Sequence, residues 1–151
     1  MDLVACSMKA NALWVEGYKS VIDNGRGHSV TVDLPIDQGG KDVGPSALEL
    51  AVMSLAGCVT TIFKIVAAKR RLTYESLKVE LNAEKPKNAS TVTEVNGHVE
   101  IASTGTEQEV QTAMKLTFKT CPVGVIFEQA GIKVNYDLTV RKPNQLEHLI
   151  A

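Results

Sequence analysis

Charge imbalance is missing from this sequence, in which 16 lysines and arginines stand against 17 aspartates and glutamates. A chain this close to neutrality, with pI about 6.3, gives no electrostatic basis for holding nucleic acid or an anionic membrane. Its one basic cluster, Lys69-Arg70-Arg71, is short and reads as a solvated helix end. Cysteine is scarce too: three in 151 residues do not make a disulfide scaffold. Met1 to Ala10 carries an acidic residue at position 2 and no apolar stretch, so it does not read as a secretory leader. The expected compartment is a reducing cytoplasm, where disulfides are mostly transient and either catalytic or sensory. His28, His98 and His148 are scattered, and none is spaced with a carboxylate or cysteine as a metal or triad motif requires. Gly39-Gly40 lacks the flanking pattern of a phosphate-binding loop. No repeat, low-complexity segment or linker appears, so one domain over residues 1–151 is expected.

What is present is an alternation of strands and helices with ordinary globular composition, 44% hydrophobic and 22% charged. Ala10–Val15, Gly17–Ile22 and His28–Leu34 read as short strands of a meander, separated by Glu16-Gly17 and Asp23-Asn24-Gly25. Asp37–Gly44 reads as a polar, glycine-bearing loop. A long helix is predicted from Ser46 to Arg70, with Ser46 at its cap and Glu49 in its positive first turn. Apolar residues recur in it at Leu48, Val52, Leu55, Val59, Ile62 and Val66, and Leu50, Ala51, Ala56, Phe63 and Ile65 fill other faces. The stretch Leu48–Ala68 is long enough for a bilayer, but Glu49 and Lys64 within it favour a helix buried at the centre of a soluble protein. Such a helix spans roughly 35–40 Å and must be surrounded by protein, more than one small domain supplies. A partner subunit is therefore expected to cover part of it. Strands follow at Ser76–Ala83 and Thr91–Ala102, either side of a polar turn at Glu84–Ala89. A helix is then predicted over Glu107–Thr120, with a capping box between Thr106 and Glu109 and a buried stripe of Val110, Met114 and Phe118. A short helix from Pro122 to Gly131 and a last strand over Ile132–Val140 complete the α+β order.

Few residues are placed for chemistry. Cys121 precedes Pro122 at a helix start, so its sulfur is expected to cap that helix and to have a lowered pKa. Equally, it reads as a small buried hydrophobe at a helix junction. Cys58 sits in mid-helix behind Ala56-Gly57, where small residues leave room for an approaching backbone or substrate, although mid-helix cysteines are usually inert. The two stand 63 positions apart, no spacing for a metal, and pair only if the fold brings them together. Cys6 has no supporting context. Glu49 either serves the helix dipole or faces a site and orients a cation. Arg26, the one arginine before Arg70, either supports a thiolate or is a solvated turn residue.

The run from Gly39-Gly40 through Gly44-Pro45-Ser46-Ala47-Leu48-Glu49-Leu50 to Ala56-Gly57-Cys58 resembles the central-helix signature of the OsmC/Ohr family. Cys121-Pro122-Val123 is similar to that family's second motif, and the element order agrees over about Ala10–Val140. The resemblance is to the branch with the L-E-L pattern. It implies an α+β fold with antiparallel sheets around a long central helix, in an intertwined homodimer. It also implies a thiol peroxidase without cofactor or metal: Cys58 attacks an organic hydroperoxide and becomes sulfenic acid, Cys121 resolves it to a disulfide, and a dithiol reductant restores both. The sequence departs from the characterised peroxidases in two places. Glu49 is one helical step out of their glutamate's register. Glu16, Gly17 and Lys19 occupy the first-hairpin region where those proteins carry an arginine, with Arg26 further along. These departures raise a second possibility, a non-catalytic dimer of the same fold that binds a small apolar ligand or senses redox state.

Overall fold

The computed structural model describes residues 7–143, so Cys6 and His148 lie outside the described residues. Its backbone divides into two compact units, one through Ala51 and one from Val52 onward, with the boundary inside a continuous helix.

In the first unit, β1 (Asn11–Glu16), β2 (Lys19–Asp23) and β3 (Ser29–Val32) form the expected antiparallel meander. The β2–β3 turn is closed by its own side chains: Asp23 Oδ1 accepts from the Gly25 N–H at 2.7 Å and Asn24 Oδ1 from the Arg26 N–H at 2.9 Å. The glycine-bearing loop is more ordered than its composition suggests, and includes a 3-10 turn at Ile36–Gln38. Asp33 organises it. Its buried carboxylate accepts N–H bonds from Leu34 (2.8 Å), Lys41 (3.0 Å) and Val43 (3.4 Å). Burial opposes its charge, but these donors prevail and hold its pKa below the usual carboxylate value. The backbone folds back closely enough that a Cβ at Gly40 would overlap the Leu34 carbonyl, and one at Gly44 the Thr31 carbonyl. Only glycine fits at either place.

The helix α1 (Ala47–Arg70) starts where its capping signals put it. Ser46 Oγ accepts from the Glu49 N–H at 3.3 Å, while Glu49 Oε2 accepts from the Ser46 N–H at 2.7 Å, a reciprocal capping box. Within the chain its buried residues are Leu55, Val59, Phe63 and Ala67, one i, i+4 stripe. Leu48, Met53 and Ile65 are exposed and several other apolar positions are only part-covered, so a single chain does not surround α1. By length and composition α1 could also cross a bilayer.

In the second unit, β4 (Tyr74–Glu84), β5 (Glu94–Ser103) and β6 (Lys133–Arg141) form a sheet in the order β4-β5-β6. β4 pairs antiparallel to β5 as expected, but β6 pairs parallel to it, so this sheet is mixed rather than antiparallel. The cause is the connection. Between β5 and β6 the chain passes through α2 (Glu107–Thr120) and α3 (Pro122–Gln129), long enough to return to the same end of the sheet. The core comprises the α1 stripe, Val95, Val99 and Ile101 of β5, and Val110, Ala113 and Met114 of α2. Thr117 takes the place expected for Phe118, its hydroxyl donating to the Ala113 carbonyl at 2.9 Å. Phe118 stacks instead on Tyr136, with ring centroids 4.0 Å apart.

The Thr106–Glu109 capping box is present as expected. Thr106→Ala is expected to lower unfolding free energy by about 1 kcal/mol in urea denaturation, with an unchanged m-value. His98, on the polar face of the sheet, meets Asp137 through Nδ1 and Glu100 through Nε2, and lies opposite Glu80 on β4. The Asp137 carboxylate foremost, with Glu100, raises the His98 pKa against partial desolvation. A proton held more tightly in the folded state contributes stability fully below the unfolded value of about 6.5, and loses it as pH rises through the folded pKa. The urea midpoint of the native protein should therefore fall with rising pH above neutrality, and less steeply in His98→Gln.

Candidate functional site

Cys121 is the hinge between two helices. It ends α2 in an extended conformation, φ −68° and ψ 113°, and caps α3, its Sγ accepting from the Gly124 N–H at 3.4 Å. Pro122 at the first helical position makes this arrangement, because it needs no donor there and its ring fixes φ for the helix. The side chain is fully buried. The expected lowering of its pKa does not occur: burial foremost, then hydrogen bonding to the Cys58 sulfur, pushes the thiol up to about 11. The Gly124 and Val123 amides pull the other way and are outweighed. The Cys58 side chain, as one of the groups that raise this pKa, lies within hydrogen-bonding reach of the Cys121 sulfur.

The fold thus brings together two cysteines 63 positions apart. Cys58 lies on α1 next to the buried Val59, and is half-buried where Cys121 is sealed. The preceding turn is open on its outer side. A Cβ at Gly57 would meet nothing within 4 Å, and the Gly57 carbonyl accepts from the hydroxyls of Thr60 (2.8 Å) and Thr61 (3.0 Å). These bonds satisfy both hydroxyls locally and leave the neighbourhood of Cys58 without unpaired polar side chains on that turn. Beside the Cys121 turn a cavity of about 460 Å³ is lined by Phe118, Lys119, Gly124, Glu128, Val134 and Tyr136.

The other two candidates belong to the first unit. The Glu49 carboxylate closes the capping box of α1, and that backbone bond from Ser46 chiefly lowers its pKa. Arg26 is exposed in the β2–β3 turn. Glu16 of the first hairpin pairs with Lys19 of the same hairpin and with Lys41 of the glycine-bearing loop, at 2.9 and 3.0 Å. Asp33 was not singled out from the sequence. An aspartate just ahead of a glycine-rich loop was the available signal. Among the described residues no group of three or more His, Cys, Asp or Glu side chains converges as for a metal ion.

The family model for OsmC-like proteins matches residues 39–137, from the glycine loop through most of β6. The chain belongs to the OsmC-like family. No curated protein sequence matches it significantly. Solved structures share its fold at low identity. An OsmC-like protein of Mycoplasma pneumoniae has 19% identity and a TM-score of 0.81, with 91% of this chain and 99% of that one covered. An organic hydroperoxide resistance protein of Legionella pneumophila has 17% identity and a TM-score of 0.68, with 91% and 98% covered. Another organic hydroperoxide resistance protein, from Elizabethkingia anophelis, has 16% identity and a TM-score of 0.69, with 93% and 99% covered. The matched span includes Cys58, Cys121 and the glycine-bearing loop that leads to α1.

A sealed thiol with a pKa near 11 alkylates poorly. Brief treatment with iodoacetamide at mildly alkaline pH should modify Cys58 and spare Cys121 until denaturant is added, as read by peptide mass mapping.

Proposed function

We propose that this chain is a thiol peroxidase that reduces organic hydroperoxides through Cys58 and Cys121, working as a homodimer in a reducing cytoplasm. The observation carrying this reading is the hydrogen-bonded contact of one half-buried and one fully buried thiol in an OsmC-like chain. The organic hydroperoxide resistance of two proteins of the same fold supports the substrate class. Cys58, deprotonated, attacks the outer peroxide oxygen. The O–O bond breaks, the alcohol leaves with a proton, and Cys58 carries sulfenic acid. Cys121 is already in contact. Its sulfur attacks the Cys58 sulfur, the hydroxyl leaves as water with the Cys121 proton, and a disulfide remains. A dithiol then returns both cysteines to thiols and is itself oxidised to a disulfide. The two electrons that reduce the peroxide thus come from the external dithiol, and no metal or organic cofactor is needed.

The dimer is supported by apolar surface that a single chain leaves uncovered: Leu13 and Trp14 on β1, Ile36 and Val43 in the loop, Met53 and Ile65 on α1. Sedimentation should give twice the 16.3 kDa chain mass. Cys58→Ser is expected to abolish consumption of cumene or t-butyl hydroperoxide. Cys121→Ser should accumulate Cys58 sulfenic acid, trapped with dimedone. No turnover with any dithiol would sink the peroxidase reading.

A second reading, a dimer that binds a small apolar ligand or senses redox state, draws on two observations. Lys19 of the first hairpin is already engaged by Glu16, and the cavity beside Cys121 has the stacked Phe118–Tyr136 pair as one wall. A ligand retained in native mass spectrometry, with peroxide left unconsumed, would favour it.

A further inference from the structure

The basic run Lys69-Arg70-Arg71 straddles the end of α1, where the chain leaves the helix by a left-handed turn. The Leu72 N–H donates to the Ala67 carbonyl at 2.9 Å and the Arg71 N–H to the Ala68 carbonyl at 3.2 Å. Arg71 takes the left-handed position of this motif, with φ 55°, where glycine is the usual residue. A side chain there strains the backbone, so the turn by itself gives no reason for an arginine.

Arg70 and Arg71 line a cleft of about 210 Å³ together with Thr73, Thr104, Gly105 and Glu109. Its walls come from the residues before β4 and from the loop between β5 and α2, and the buried Ser103 ties them together. Ser103 Oγ donates to the Thr73 carbonyl at 2.6 Å and accepts from the Gly105 N–H at 3.0 Å. Packing behind the cleft is close: a Cβ on Gly105 would stand 2.5 Å from Leu72 Cδ1. Cations outnumber anions around it. Lys142 donates to the Gly105 carbonyl at 3.2 Å and adds a third positive side chain. Glu109 is the one carboxylate in the lining, and its Oε2 is committed to the Thr106 N–H and hydroxyl at 2.8 and 2.9 Å. Those bonds foremost lower its pKa, and the charges of Arg70 and Lys142 lower it further. Among the described residues neither arginine forms an ion pair, and the hydroxyls of Thr73 and Thr104 have no partner.

We propose that this cleft binds a small dianionic phosphoryl group, either free phosphate or the phosphate end of a small ester. Two guanidinium forks and two free hydroxyls suit a tetrahedral dianion, which offers more acceptor oxygens and more charge than a carboxylate. The cleft is smaller than the roughly 300–1,000 Å³ of pockets that enclose a drug-sized ligand, so it takes the charged group and leaves any remainder in solvent. It stands apart from the thiols. Arg70 lies 12 residues (70 − 58) beyond Cys58 on the same helix, about 18 Å along its axis, so the site needs neither sulfur.

Isothermal titration calorimetry of the whole reduced chain tests this, at mildly alkaline pH and low ionic strength, where exposed charges are least screened. The probes are inorganic phosphate, glycerol 3-phosphate and, as a carboxylate control, acetate. Peroxide is absent throughout, so the outcome is independent of the peroxidase reading. At least one phosphoryl probe should bind saturably and tenfold or more tighter than acetate. Arg70→Gln and Arg71→Gly should each weaken that binding at least tenfold. Glycine fits the left-handed turn, so the second variant keeps the fold. Tighter binding of glycerol 3-phosphate marks an ester as the ligand, and tighter binding of inorganic phosphate marks the free ion. No saturation by either phosphoryl probe, acetate binding as tightly, or unchanged affinity in either arginine variant would overturn the proposal.

Discussion

The candidate site depends on how α1 is rotated. Leu55, Val59 and Phe63 are wholly buried and Ala67 nearly so, and burying each of the three large side chains contributes about 1.5–3 kcal/mol. Turning the helix by one residue would expose that stripe, so its rotation is fixed by packing. Cys58 immediately precedes Val59 and so lies about 100° round the helix from a fully buried position. It is held at the margin of the stripe, far enough in to touch Cys121 and far enough out to keep an open side. A pair of thiols of unequal burial thus follows from the packing of four apolar residues, with no need of a specialised loop.

The part of the sequence most readily recognised as OsmC-like has an architectural role. Gly40 and Gly44 permit backbone to lie against backbone, Asp33 ties the loop through three N–H bonds, and Ser46 with Glu49 starts the helix. None of these groups is a nucleophile. Their common effect is to bring the chain into α1 with a defined beginning. Glu49, which could be read as orienting a cation, has its carboxylate turned to the Ser46 amide.

Local signals were the most legible. The Thr106–Glu109 capping box, Ser46 as the cap of α1, the limits of α2 and the position of Cys121 at the start of α3 follow from adjacent residues, and the structure has them. Three features were hidden for physical reasons. The α1 stripe could not be picked out because apolar residues occupy most faces of the helix, so periodicity selects none. The direction of β6 could not be read from the alternation of Val134, Tyr136 and Leu138, since alternation encodes a buried face and not a partner's polarity. Adjacent residues left Cys121 between a capping thiol of lowered pKa and a buried one, because a helix N-terminus is a local effect, whereas the burial that overrides it comes from the whole fold. The approach of Cys58 to Cys121, and of His98 to Asp137, likewise depends on contacts between residues far apart in sequence.

That sequence separation has a thermodynamic side. A bond between Cys58 and Cys121 ties the ends of a 63-position segment that includes β4, β5 and α2. Closing a loop of that length removes enough freedom from the unfolded chain to favour the folded state by about 4 kcal/mol in the chain-entropy account. Stability and oxidation state are then linked quantities: whatever stabilises the fold makes the disulfide harder to reduce, and whatever reduces it loosens the fold. Oxidised to a disulfide, the two thiols would form a removable cross-link across much of the second unit.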